Sequence, residues 1–559
     1  MSHLQIRRAF CDVKAIVRIF RALVLIPLTL TSIASSAAAQ EVSIPDPGLN
    51  AAIREALQKP SGPLTDQDLL SLTNLDASQR NVSSLIGLEA ARNLVSLNLE
   101  MNRLTNFSVP NTLTNLTILD LSSNSLTSFS FPGGLTKLTS LDLSHNLFAS
   151  FSLPSNLTRL SFLDLSFNGL TNVSLPGGLT NLTGLAIRGN TRLADLDLPQ
   201  GLTALETLDI DNNQFAHVTL PAGMKHLLRL NLEANQLFSL LLPVGMTNLV
   251  NLLLDRNHLD SLDLPADLTK LAFLDLTGNQ LTNVTLPFSL TALIELSLPI
   301  NRLASFTLPG GLTNLASLDL FENGLTSFTL PAGLTALTNL ELGVNQLTSF
   351  TLPAGLTALT SLDLGINQLT SFTVPPDATN LTSLILLANQ LTNVSLATNM
   401  GKLNLLGLSE NQLRHFDFPS GLTNLAFVSL RINQLTNITI PPDMQQLMGI
   451  FVDGNPLASL VLSEPLAATN LAGTVSTLHN QGVSVFTYPV AVRMDTTHLT
   501  ASEAFEFTLN GPPGIYTIFG SADLTAWNEL GRTTNILGRV VFTDSTASLS
   551  ARKFYRARQ

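Results

Sequence analysis

Leucine returns along this chain at fixed intervals. The stretch Leu94-Val95-Ser96-Leu97-Asn98-Leu99-Glu100-Met101-Asn102 recurs from Leu116 to Asn124 and again from Leu138 to Asn146. The closing asparagines continue through Asn168, Asn190, Asn213, Asn235, Asn257, Asn279, Asn301, Asn323, Asn345, Asn367, Asn389, Asn411, Asn433 and Asn455. They number 17, and every step is 22 residues except the step of 23 from Asn190 to Asn213. Inside the unit, leucines two apart alternate with other residues, the period of a strand with one buried face. Chance does not hold register from Asn102 to Asn455, so the pattern predicts one solenoid rather than the several domains that 559 residues would otherwise suggest. Strands about 4.8 Å apart, one per coil, make a ladder roughly 80 Å long. The asparagine follows the strand where the backbone turns, and its amide is expected to bond backbone groups of adjacent coils in a buried row.

The rest of the period completes the coil. Five residues after many rungs stands a large apolar residue, as at Phe107, Phe129, Phe151, Val173, Phe306, Phe328, Phe350 and Phe372, which predicts a second core spine. Proline follows in 15 of 17 coils, from Pro110 to Pro441, with Ala397 and Ser463 in the other two. Proline in nearly every coil forbids a regular helix there, so the outer face should be short extended segments and turns. Before the array, residues 49–57 carry apolar positions at helical spacing, and residues 64–70 open a second helix with Thr65 as N-cap. A degenerate coil follows over 72–93, with Arg80 in the rung position. After the array, residues 470–480 suit a closing helix and 483–486 a last strand. Alternating segments at 504–509, 514–520, 539–543 and 553–557 then predict a small β-sandwich-like module.

Composition now narrows the function. Arg7, Arg8, Lys14, Arg18 and Arg21 precede an apolar run over 22–33 and the small residues Ala37-Ala38-Ala39, the pattern of an export signal with the mature chain starting at Gln40. A retained anchor is the alternative for this segment, although the run is shorter than the roughly 20 residues a span needs. The single cysteine, Cys11, leaves with it, so neither a disulfide nor a cysteine zinc site can form in the mature chain. A formal charge of −11 disfavours nucleic acid as a partner. No His-Glu-x-x-His, phosphate-binding glycine loop or Gly-x-Ser-x-Gly elbow occurs, and His217 and His226 fall on different parts of one coil. No catalytic residue, metal ligand or cofactor is therefore assigned. The expected organisation is a signal peptide over 1–39, a helical cap with the degenerate coil over 40–93, the repeat array over 94–462, its closing cap over 463–488 and the β module over 489–559.

The unit Leu-x-x-Leu-x-Leu-x-x-Asn-x-Leu resembles that of leucine-rich repeat proteins, and its 22-residue length is similar to the internalin-like class of bacterial surface proteins. The helical stretch after Ile44-Pro45-Asp46-Pro47 resembles the N-terminal cap of that class. Tyr516, Asp523, Trp527 and Phe554-Tyr555-Arg556 resemble a C-terminal module found on exported proteins of some Gram-negative bacteria. The resemblance implies a leucine-rich repeat solenoid with its parallel sheet on the concave face. It further implies a non-enzymatic scaffold, exported or surface-displayed, that recognises a protein ligand on that face and has no membrane span once the signal is removed. The alternative is a structural or adhesive envelope component held by the C-terminal module.

Two sets of residues are candidates for the concave face. The central outward column, with its neighbours, carries an acidic stripe: Asp120, Asp142, Asp164, Asp209, Asp211, Glu233, Asp255, Asp275, Asp319, Glu341 and Asp363. Such a stripe either keeps the face soluble or receives a basic partner. Toward the later coils the columns beside the rung turn apolar at Ile300, Phe321, Val344, Ile366, Ile385, Leu387 and Ile432. A large exposed apolar patch of this kind marks a contact site.

Overall fold

The computed structural model describes residues 40–501, 504–547 and 552–559, so the segment read as an export signal, 1–39, lies outside the described residues. Eighteen three-residue strands form one parallel sheet, from Asn74–Asp76 in the degenerate coil to Gly449–Phe451. Register is strict: Leu318 lies opposite Leu340, and Leu340 opposite Leu362. Leucines on both sides of each outward residue point inward, and one apolar core runs unbroken from Ile44 to Val483. This is the leucine-rich repeat solenoid that the period predicts. The opposite side carries short parallel pairs, such as Asn106–Ser108 with Ser128–Ser130, and one three-stranded group at its far end, because proline ends the extended stretch in most coils. Phe306, Phe328 and Phe350 form the second spine, buried and stacked with centroids 6.3 and 6.4 Å apart.

The rung asparagines are the polar counterpart of that core. In Asn345, Nδ2 donates to the carbonyls of Leu320 (3.0 Å), Leu342 (3.1 Å) and Gly343 (3.2 Å), while Oδ1 accepts the Leu325 amide at 3.0 Å. One side chain thus satisfies backbone groups of two coils where the chain bends and cannot satisfy itself.

The residue just before each rung carries a cost that its side chain does not reveal. In all 17 regular coils its backbone is left-handed, with φ from 51° to 77°. Glycine fills the place only at Gly189, Gly278 and Gly454, and β-branched residues fill it at Ile300 (56°), Val344 (54°), Ile366 (54°) and Ile432 (51°). Left-handed backbone costs a non-glycine residue about 1–2 kcal/mol, and glycine returns part of that gain as unfolded-state entropy. Ile366→Gly should therefore stabilise the array by about 1 kcal/mol, read as a higher denaturant midpoint; a lower midpoint would show that packing of the Ile366 side chain outweighs the strain.

Both ends of the core are covered. Helix α1 (Pro47–Ala56) is capped by Asp46, whose Oδ1 accepts the Leu49 amide at 2.9 Å while Oδ2 accepts the amides of Ser83 (2.8 Å) and Ser84 (3.2 Å) in the first coil. Helix α2 (Asp66–Leu70) opens with a capping box between Thr65 and Asp68. At the far end the closing segment is two helices rather than one, α3 (Glu464–Ala468) and α4 (Ala472–Asn480). Ser484–Tyr488 then pairs in parallel with Ser459–Ser463. Beyond it, β1 (Arg493–Leu499), β2 (Phe505–Asn510) and β5 (Arg539–Asp544) form one antiparallel sheet. A second antiparallel sheet contains β3 (Gly514–Ser521), β4 (Asn528–Asn535) and β6 (Phe554–Arg558). Phe507, Leu509, Tyr516 and Ile518 fill the space between them.

Candidate functional site

Each coil presents three outward positions on the concave sheet, exemplified by Ser317, Asp319 and Phe321 around the buried Leu318 and Leu320. The bend residue and the rung follow. Placed on this frame, the seven apolar candidates divide. Ile385 stands in the central column, and Phe321 and Leu387 stand in the third. Ile300, Val344, Ile366 and Ile432 are bend residues, on the rim where the strand leaves the sheet. They do not join into one patch: Glu322 lies between Ile300 and Val344, and Ala388 and Glu410 lie between Ile366 and Ile432. The apolar candidates are thus divided between the sheet columns and the left-handed bend column beside the rung.

The late sheet itself is apolar at positions not singled out from sequence. Leu405 and Phe427 succeed one another in the first outward column, followed by Gly449, and Phe451 closes the central column. All three side chains are exposed, at 38%, 40% and 45% respectively. A β-carbon on Gly449 would lie 3.2 Å from Phe427 and 3.5 Å from Phe451, so the missing side chain leaves the two rings facing one shallow gap. Similarly, a β-carbon on Gly365 would lie 3.2 Å from Leu387 and 3.4 Å from Ile385. The signal for Leu405 and Phe427 was present in the first outward column, where the earlier coils mostly carry small or polar residues.

The acidic stripe has a local structural task. Oδ1 of Asp120, Asp142, Asp164, Asp275, Asp319 and Asp363 accepts the amide two residues on, at 2.7–3.0 Å. Asn98 and Asn231 do the same for Glu100 (2.9 Å) and Glu233 (3.1 Å), so the column selects a short side-chain acceptor that closes the turn out of the strand. Around Asp209 the charges are paired. Arg229 Nε lies 2.9 Å from Asp209, Arg256 contacts Glu233 and lies 3.3 Å from Asp255, and buried Asp211 accepts from Asn231 at 3.0 Å. Burial still raises the Asp211 carboxyl above its ordinary value. Farther along, burial pushes Glu341 up to about 7, with Asp363 and Asp319 adding repulsion. Burial and Asp142 likewise push Asp120 up to about 6. Burial also raises Asp164 and Asp363 against their turn hydrogen bonds.

Among the described residues, no group of three or more His, Cys, Asp or Glu side chains is placed to hold a metal ion, and no helix is long and apolar enough to cross a membrane. The face can bind through apolar contact and negative charge.

Comparison with known proteins places this geometry. The family described as BspA type leucine rich repeat region matches residues 166–275, 253–362, 277–386 and 365–467, and the leucine rich repeats family matches 114–157. The functional domain of InlJ from Listeria monocytogenes, described as including a cysteine ladder, is 19% identical with a TM-score of 0.51, over 84% of this chain and 94% of that one. YopM from Yersinia enterocolitica is 25% identical with a TM-score of 0.55, over 74% of this chain and 87% of that one. No curated protein sequence matches the chain.

Proposed function

Because the chain belongs to the BspA-type leucine-rich repeat family, we propose that it is a non-enzymatic protein-binding scaffold, exported by a Gram-negative bacterium, whose late concave face receives the partner. The reading rests on Leu405, Phe427 and Phe451, large apolar side chains exposed on a sheet whose stability comes from the opposite face. Ile385 and Leu387 extend the same surface toward the acidic coils, so the partner would meet apolar contact and negative charge side by side. Aromatic anchors in the middle of a contact face contribute most of its affinity. Its export rests on the basic and apolar segment ahead of Gln40.

The test is affinity capture from the host with the parent chain and two folded variants, L405D/F427D on the sheet and V344D/I366D on the rim. A partner held by the parent and the rim variant, but lost by the sheet variant, is the expected result. Equal capture by all three would remove the late concave face as the site, and loss by the rim variant alone would move it to the bend column.

A further inference from the structure

The outer face of the sheet formed by β3, β4 and β6 gathers three arginines, Arg532, Arg556 and Arg558, on an otherwise acidic chain. In the register, Thr517 lies between Arg532 and Arg558, and Phe519 lies between Glu529 and Arg556. Tyr516, Ile518, Tyr555 and Ala557 pack inward, so the alternate residues Thr517, Phe519, Arg556 and Arg558 face out. Glu529 is the one acid in these two rows, and it sits 3.3 Å from Arg532. Among the described residues, neither Arg556 nor Arg558 has an acidic side chain within ion-pair distance.

The central arginine is held in place. Its guanidinium lies 4.6 Å from the Trp527 ring centroid and 5.3 Å from that of Phe519. Trp527 is fixed by a turn in which Asp523 Oδ1 accepts the amides of Thr525 (2.9 Å) and Ala526 (3.1 Å). Trp527 Nε1 donates to the Leu524 carbonyl at 3.2 Å. Stacking of this kind fixes the plane of the fork while its edge N–H groups stay free for paired oxygens. Arg532 and Arg558, two strand spacings apart, stand roughly 10 Å from each other across the same face.

We propose that this face binds an acidic polysaccharide, a sugar polymer bearing carboxylate groups, and so attaches the array to a carbohydrate surface. An open face spanning three strands suits a long chain laid across it better than an enclosed small molecule. Nucleic acid fits less well, because Arg556 covers ring surface that a base would need and the whole chain carries −11. A lipid surface is the competing occupant, because exposed Ile515 and Phe554 lie on β3 and β6 beside these arginines, and it is made an outcome of the test. The proposal stands independently of the concave-face reading.

The test is native affinity electrophoresis of the full chain through gels containing polygalacturonate, alginate or neutral dextran. Phosphatidylglycerol vesicles and oligothymidylate serve as separate probes. Retardation by the two acidic polymers and not by dextran is expected. R556Q and R558Q, each confirmed as folded by its melting curve, should weaken it about tenfold apiece. R539Q, on the other sheet, should leave it unchanged, and R556K should fall short of the parent because an ammonium cannot reproduce the stacked fork. Absence of retardation by either polymer, equal retardation by dextran, indifference to R556Q and R558Q, or stronger binding to vesicles or oligothymidylate would each overturn the proposal.

Discussion

Replacing Asn345 with alanine is expected to destabilise the array by about 3–5 kcal/mol, more than deletion of a single exposed contact could. The side chain is buried, and four backbone groups use it: three carbonyls that accept from Nδ2 and the Leu325 amide that donates to Oδ1. Alanine leaves these groups in a coil bend closed on both sides by leucine, where water cannot replace the lost partners. Aspartate should do no better, since it keeps the acceptor but buries a charge and loses both N–H donors. Contacts in a solenoid join neighbouring coils only, so the loss should appear as earlier unfolding of the coils around residue 345 rather than a uniform shift of every probe. Denaturant unfolding followed by circular dichroism, together with amide exchange at Leu325, would detect it. A change below about 1 kcal/mol would mean that the bend relaxes enough to satisfy its own backbone.

That row of asparagines was legible in the sequence because period, residue type and physical task coincide in every coil. Leucine burial was legible for the same reason. The concave surface was harder to read. Ile300, Val344, Ile366 and Ile432 look like core-compatible residues beside a strand, and nothing in their chemistry announces left-handed backbone; the coil's geometry imposes it on whatever residue occupies the place. The acidic column looked like a binding stripe, yet its aspartates also close turns, a role shared with Asn98 and Asn231 and therefore not one of charge alone. In the C-terminal module, β1 and β4 were missed because Arg-Met-Asp-Thr-Thr-His-Leu and Asn-Glu-Leu-Gly-Arg-Thr-Thr-Asn show little apolar alternation. Both are edge strands of three-stranded sheets, where burial is too incomplete to leave a period.

Lowering the pH from about 8 to about 5 is expected to stabilise the array locally, the reverse of ordinary acid sensitivity. Glu341 lies between Asp319 and Asp363 on adjacent strands, and burial with this repulsion pushes it up to about 7. Asn339, on its own strand, favours the charged form but is outweighed. The folded chain therefore binds a proton here that the unfolded chain, with an ordinary glutamate near 4.3, has already lost. The contribution is fully present below the unfolded value and disappears as pH rises through about 7. Allowing for solvent at this half-buried site, it amounts to roughly 2 kcal/mol. Glu341→Gln removes the charge but keeps the shape, so the variant should exceed the parent in stability most at pH about 8, by less near pH 5, and match it only below the unfolded value, losing much of the pH slope between. Asp120, pushed up to about 6 by burial and Asp142, should retain a smaller slope in the early coils of the same variant. Melting curves of parent and variant across this range decide the matter: an unchanged slope in Glu341→Gln would place the charge in solvent. The sign also bears on the partner. A cation brought to Asp363 and Glu341 would favour loss of the Glu341 proton, so a basic ligand should bind more tightly as pH rises, while a purely apolar contact at Leu405 and Phe427 should not respond.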